Sequence, residues 1–513
     1  MIAAKILRFI FLASLLIFSL DACRRNPSGS GSLLIIHSND THGTYLPYTI
    51  EADGIQRMVG GMEAVSHYLN VLRNGEKNVL LIDTGDVMTG TLATKLEYRG
   101  AKGGVMMEFM NLLGYDVWCP GNHAFDQGQE NVKALVKLAS FPTVLCNLVY
   151  EGKNELFFPE AYHIFEIGSM KVGVIGVIEE KFKVEVDKKS TIGLEVHPVI
   201  ATLKPYVDLL DKQTDLLIVL AHGRFDTAEQ IAQDISGIDV ILVAQENGRF
   251  EVVNDVLLKS TLGHQRTLGT LHLEVGKDKI VEYDEDMVRL WADIDLKPAP
   301  EIKALVLEFK TLIDSEYGRV IGECREDRTR KGYPVESALG NWITDAMRWK
   351  TGAEVAFQNS GGIRADISSG PITVADIYEI SPFNNTLVLF ELTGQQIKDG
   401  LETDVERDWD RLQVSGITYA YHPKEVRPFG HRVESVEVGG LLLVQNGKVL
   451  HPDRVYTAVT NDYVFGQAQA KYFGYPLKSM RDTELPLNQA LMDWLAKNKL
   501  LVCEIEGRIV VLK

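Results

Sequence analysis

Five short apolar runs in the first half of the chain end in the same kind of polar tip, and that recurrence limits the fold more than any other feature. Residues 33–37 lead into Asp40 and His42 in LLIIHSNDTHG, and residues 79–82 lead into Asp83 and Asp86 in NVLLIDTGD. DVWCPGNHAFD ends in Asn122, His123 and Asp126, DLLIVLAHGRFD in His222 and Asp226, and DVILVAQENG in Gln245 and Asn247. Runs of this length and β-branched content read as buried strands. Their alternation with helical segments from Ser32 to about Ala292 predicts an α/β domain. In such domains the loops at the carboxyl ends of the strands collect along one edge, where sites form. A single Asp after a strand is ordinarily a turn residue or a helix cap. Five tips that share imidazoles, carboxylates and amides predict a site instead. Oxygen and nitrogen donors without thiolates suit Mn²⁺, Mg²⁺ or Zn²⁺.

HSNDTHG, DTGD, GNHAFD and LAHGRFD resemble the ordered blocks of the calcineurin-like metallophosphoesterases, and more narrowly those of the exported 5′-nucleotidase and UDP-sugar hydrolase family. FQNSGGIRADISSGPITVADIYEISPFNNTLVLFELTGQQIKDGLE (residues 357–402) is similar to that family's C-terminal domain, and LQVSGITYAYHP (residues 412–423) continues the likeness. The resemblance implies a four-layer α/β/β/α sandwich over residues 33–292, a linker helix over 293–319 and a C-terminal α/β 5′-nucleotidase domain over 320–513. It also implies a reaction in which two metals share one Asp and hold a hydroxide that attacks phosphorus in line. Carried over motif by motif, Asp40 and His42 would bind the first metal, Asp86 would bridge, and Asn122 and His222 would bind the second. His123 would steady the phosphoryl oxygens or protonate the leaving group, with Asp126 orienting it. Up to two divalent ions are expected, from among Mn, Zn, Co and Mg.

The chain departs from the family where relatives write GGHSH or a variant ending in Gln. Aligned on Asp239, Gln245 and Asn247 take the two ligand places, and Val243 and Ala244 replace the glycines. An amide oxygen is a weaker donor than an imidazole, above all for Zn²⁺, so the second metal is expected to bind weakly. Glu246 and His264 are conceivable replacement ligands.

In the second half, NSGGIR has paired glycines, Gly361 and Gly362, that open backbone amides or simply make a turn, and an Arg364 fork suited to an anion. The resemblance implies a nucleotide-binding loop, with Asn359 near the sugar or base. Phe383 and Tyr463 fall at the two aromatics that sandwich a base, although either could equally be core packing. Tyr333 and Val335 stand where relatives carry arginines. GQAQA (residues 466–470) stands where they carry GGDG, whose Asp contacts ribose. In the linker, Ile302, Leu305, Leu307, Phe309 and Leu312 predict a helix. Three readings stay open: a hydrolase of nucleotides, a hydrolase of another phosphoester, and a catalytically impaired nucleotide- or ligand-binding protein of enzyme ancestry.

Lys5 precedes and Arg8 interrupts an apolar run over residues 6–20, shorter than the roughly 20 residues a spanning helix needs. The run closes in Leu20-Asp21-Ala22-Cys23, which resembles a bacterial lipoprotein signal with Cys23 as the lipidated residue. An ordinary cleaved signal or an uncleaved anchor is the alternative. RRNPSGSGS then reads as a tether. An exported, lipid-anchored protein of the periplasm or outer membrane is expected. The remaining cysteines, Cys119, Cys146, Cys324 and Cys503, sit among apolar neighbours and predict buried thiols without a disulfide framework. A formal charge of −17 argues against nucleic acid as a partner. The expected partner is a small nucleotide or phosphoester, met by a monomer that touches membrane only through its lipid.

Overall fold

The computed structural model describes residues 30–245, 248–276, 279–330, 335–383 and 385–512. The signal segment, Cys23, Glu246, Asn247 and Tyr333 lie outside the described residues.

Two sheets face each other in the first half. One runs, edge to edge, through Ile280–Arg289, Thr267–Gly276, Ser30–Ser38, Val79–Asp83 and Val117–Trp118. The other runs through Phe250–Val253, Val256–Lys259, Val240–Val243, Leu216–His222, Met170–Ile178 and Tyr162–Ile167. The strand period explains the layering. Leu216, Ile218 and Leu220 point into the core between the sheets. Leu217, Val219 and Ala221 point the other way, onto Leu203 and Val207 of helix Val199–Leu210 and onto Phe225 and Ile231 of helix Phe225–Asp234. Both faces are apolar because both are covered, which is why these strands read as continuous hydrophobic runs. Helices Met62–Arg73 and Gly104–Leu113 cover the first sheet with Val65, Leu69, Val105 and Phe109.

Helix Pro300–Tyr317 packs on both of those helices and on helix Val374–Ile380 of the second half. Its buried face is Ile302, Leu305, Val306, Phe309 and Ile313. Leu307, one of the residues whose spacing predicts the helix, is 63% exposed, because 3.6-residue periodicity puts Val306 on the buried face.

The second half centres on a five-stranded sheet ordered Leu412–Ser415, Val355–Asn359, Val455–Asn461, Thr386–Thr393 and Ser479–Pro486. Val355–Asn359 and Val455–Asn461 are parallel neighbours, so the loops carrying Arg364 and Tyr463 leave the same sheet edge. Cys119, Cys146, Cys324 and Cys503 are buried and unbonded. Among the described residues no helix is long and apolar enough to cross a membrane.

Candidate active site

Strand register brings the polar tips level. Ser38 pairs with Asp83 and Asp83 with Trp118 in one sheet, and Ala221 pairs with Val243 in the other. Just beyond, two turns are tied together by backbone hydrogen bonds. The N–H groups of Asp40, His42 and Gly43 donate to the carbonyls of Gly85, Asp86 and Val87 at 2.9, 2.9 and 2.8 Å. Asp83 supports the second turn, accepting from Ser38 Oγ at 2.6 Å and from Gly85 N–H at 2.9 Å. Asp40, His42, Asp86 and Gln245 all hold left-handed backbone, with φ of 50°, 48°, 55° and 59°. That region costs a non-glycine residue about 1–3 kcal/mol, and it persists where the surroundings over-determine it. Here it turns four polar side chains at the ends of neighbouring strands toward one another.

The side chains converge. His42 Nδ1 faces the carbonyls of Met88 (3.2 Å) and Thr89 (2.9 Å), so it carries the proton and leaves Nε2 bare, 3.8 Å from Asp40 Oδ1. His222 Nδ1 likewise donates to Thr84 O at 2.8 Å. Its Nε2 then lies 3.1 Å from Asn122 Oδ1 and 3.4 Å from Asp86 Oδ2. The Gln245 amide nitrogen reaches the same spot, 3.0 Å from Asn122 Oδ1 and 3.3 Å from His222 Nε2, while its backbone N–H donates to Asp40 Oδ2 at 2.8 Å. His42, Asp86 and His123 also offer one ligand atom each within 4.8 Å of one another. Burial, and then the charge of Asp86, push the Asp40 carboxyl up. Burial opposes ionisation of Asp86 too, yet attraction from His222, His123 and His42 holds it well below the usual carboxylate range. Burial works against the His222 cation, but Asp86 and Asp40 overcome it and lift the ring to about 9.

His123 Nδ1 is 2.7 Å from Asp126 Oδ2, which also accepts from Thr89 Oγ1 at 2.6 Å. Burial lowers the affinity of His123 for a proton, but Asp126 and Asp86 together raise it above the ordinary value. The His123 ring lies 6.1 Å from that of Phe383, which projects from the second half. Between the halves opens a cavity of about 620 Å³ that takes in Asn122, His123 and Gln245 on one wall. Asn359, Gly361, Gly362, Arg364, Phe383 and Tyr463 face them from the other. His264 stacks at 5.0 Å on His42 and is held down to about 3 by burial and then by Arg364, Arg330 and Arg266.

Two features of the second wall differ from the sequence reading. The Gly361 amide, expected to face an anion, donates to Asp410 Oδ1 at 2.7 Å. Asp410 also gathers Asn359 Nδ2 (3.3 Å), the Tyr472 hydroxyl (2.7 Å) and Lys471 Nζ (2.7 Å). Tyr463 donates from its hydroxyl to Val184 O at 3.4 Å across the cleft, and its ring centre lies 5.6 Å from Lys471 Nζ. Asp410, Lys471, Trp409 and Glu185 line the cavity and were not singled out in sequence. The sole signal for Asp410 is its place two residues before LQVSG.

The calcineurin-like phosphoesterase model matches residues 33–244, and the 5′-nucleotidase C-terminal domain model matches residues 318–474. The crystal structure of a 5′-nucleotidase precursor from Thermus thermophilus superposes with a TM-score of 0.83 at 28% identity, over 94% of this chain and 100% of that one. The chain belongs to the 5′-nucleotidase family of calcineurin-like phosphoesterases. The 5′-nucleotidase of Bos taurus is 28% identical over 537 residues, 93% of this chain and 90% of its own length. Endonuclease YhcR of Bacillus subtilis (strain 168) is 27% identical over 86% of this chain, but the match spans 37% of that longer protein.

The family uses divalent metals, and the donor set here fits them. With Nδ1 of His222 committed as a donor, a neutral ring would direct a lone pair at Asn122 Oδ1 and Asp86 Oδ2, and without a metal the raised proton affinity of the ring meets them with a second proton instead. Such acceptor-against-acceptor contacts in a buried site call for a proton or a cation between them. The packing is also built for it. A Cβ on Gly121 would sit 2.2 Å from Asp86 Oδ1 and 2.4 Å from His222 Cε1. Gly121→Ala is therefore expected to displace one or both side chains, with metal per chain reduced and turnover down about 10²-fold. Elemental analysis beside a circular-dichroism check of folding measures this; native metal content in the variant would refute it. Val335, where relatives carry an arginine, packs on the second-half core, and its carbonyl accepts from Gln413 Nε2 at 2.6 Å.

Proposed function

We propose that the chain is a metal-dependent phosphohydrolase that releases phosphate from a nucleotide or a related phosphoester. The reading is carried by one observation: the His123–Asp126 pair and the Arg364 fork line one cleft, and His123 there lies among the buried His42 and Asp86 donors. Asp40, His42 and Asp86 would hold one ion, and Asp86, Asn122 and His222 a second, with Gln245 beside them. Bound ions would supply Lewis acidity at the phosphoryl oxygens and make a water acidic enough to act as nucleophile near neutral pH. His123, its Nδ1 proton fixed on Asp126, would present Nε2 to the leaving oxygen. Arg364 would hold the phosphoryl group by two parallel hydrogen bonds. Phe383 and Tyr463 would flank a base, a mode tolerant of which base it is. The cleft walls come from both halves of the chain, so bound substrate would be screened from water. Residues 1–23 are read as an export signal ending in a lipid anchor on Cys23, tested by whether detergent is needed to release the protein from membranes.

The experiment is metal analysis followed by assay of nucleoside monophosphates with Mn²⁺, Co²⁺ or Zn²⁺. Turnover that disappears on chelation and returns with metal is expected. Tight nucleotide binding without turnover under every metal would replace this reading with that of a binding protein.

A further inference from the structure

The cavity between the halves is lined by five carboxylates: Asp126, Glu185, Asp187, Asp410 and Asp462. Four of them are occupied. Asp126 accepts from His123 and Thr89, and Asp410 from Gly361, Asn359, Tyr472 and Lys471. Asp187 accepts from the Lys189 amide at 2.9 Å, and Asp462 from the Thr386 amide at 3.2 Å. Glu185 has no hydrogen-bond donor or ion-pair partner among the described residues, although it is only partly open to solvent. A carboxylate in that state, lining a cavity, is free to exchange water for a donor on a bound ligand.

Its place narrows the donor. Glu185 lies within electrostatic reach of His222 and Asp86 on one side and of Lys471 and Tyr463 on the other. The carbonyl before it, Val184 O, is the one that accepts from the Tyr463 hydroxyl. Glu185 therefore stands between the metal-ligand cluster and an aromatic ring placed to stack a base. A phosphoryl group would be repelled by it. The part of a nucleotide that joins phosphate to base is the sugar, and its donors are the ring hydroxyls. The loop at 466–470 (GQAQA) offers no carboxylate for them, and Gln467 and Ala468 are buried.

We propose that Glu185, reaching from the metal-binding half across the cleft, accepts hydrogen bonds from the 2′- and 3′-hydroxyls of a ribonucleotide and so selects ribose over sugars without the diol. This rests on the phosphohydrolase reading for the placing of the phosphate. It makes sugar recognition depend on both walls of the cleft being present.

The test compares a ribonucleoside 5′-monophosphate with its 2′,3′-dideoxy counterpart, in the native chain and in Glu185→Ala and Glu185→Gln, by calorimetric binding and by kcat/KM. The native chain is expected to favour the ribonucleotide by about 10- to 100-fold, the scale of one or two hydrogen bonds to a charged acceptor. In Glu185→Ala that preference should shrink to within about twofold, with Glu185→Gln between. Equal binding of the two ligands by the native chain, or an equal loss for both in Glu185→Ala, would overturn the proposal. Absence of turnover with p-nitrophenyl phosphate in the native chain would instead count against the phosphohydrolase reading, and the binding ratios would still decide the role of Glu185.

Discussion

Replacing His123 with alanine is expected to lower kcat by about 10²- to 10⁴-fold, the usual worth of a positioned general acid, with metal content unchanged. The geometry supports an acid. Asp126 fixes Nδ1 at 2.7 Å, and the His123 backbone N–H donates to Asp86 Oδ1 at 3.0 Å, so the ring and the main chain that carries it are both held. Asp126 and Asp86 favour its cation against the cost of burial, so a proton is available where a leaving oxygen would need one. A competing assignment exists, because the ring also lies among the atoms able to hold a metal with His42 and Asp86. Metal content separates the two: a ligand takes metal with it when removed, whereas an acid does not. Leaving-group dependence adds a second readout. An acid matters less when the departing oxygen is already acidic, so the loss should be smaller with p-nitrophenyl phosphate than with a nucleotide. Unchanged kcat on both substrates would rule the role out.

Much of the architecture was legible because it follows from period and capping. Strands buried on both faces announce themselves as unbroken apolar runs, and the polar residue that ends each run must sit at a sheet edge. That logic marks the strand tips, the family resemblance selects Asp40, His42, Asp86, Asn122 and His222 among their polar residues, and the structure brings those side chains to one small volume. What remained hidden depends on contacts between residues remote in sequence. Asp410 fills the Gly361 amide from 49 residues away, and no local pattern shows that a loop's donors are already taken. Glu185 follows no motif and sits on a four-residue helix, Phe182–Glu185, so its exposure to the cleft is a property of how the halves meet. The linker helix is present as its apolar spacing predicts, but at Leu307 and Leu312 the residues that pack are their neighbours Val306 and Ile313, which keep the 3.6-residue period with Ile302, Leu305 and Phe309.

Gln245→His is expected to tighten the second metal site by about 10- to 100-fold, the range commonly lost when even a hydrogen-bond partner of a ligand is removed, with Zn²⁺ gaining more than Mn²⁺. The residue is already positioned for the task. Its backbone is left-handed at φ 59°, and its N–H is fixed on Asp40 Oδ2. Its carboxamide touches Asn122 and His222, the two side chains that would share that ion. The obstacle is chemical. The amide turns its NH₂ toward Asn122 Oδ1, so coordination through its oxygen requires a half-turn of the carboxamide and the loss of that hydrogen bond. An imidazole would meet the same ion with a stronger lone pair and no hydrogen to remove. Equilibrium dialysis against Zn²⁺ and Mn²⁺ should therefore show a second ion bound at lower free metal in the variant, with kcat rising wherever the native chain is limited by that ion. Identical stoichiometry and affinity in both chains would mean that the second ion is held without this position, and that the natural glutamine serves as a hydrogen-bond donor to Asn122 rather than as a weakened ligand.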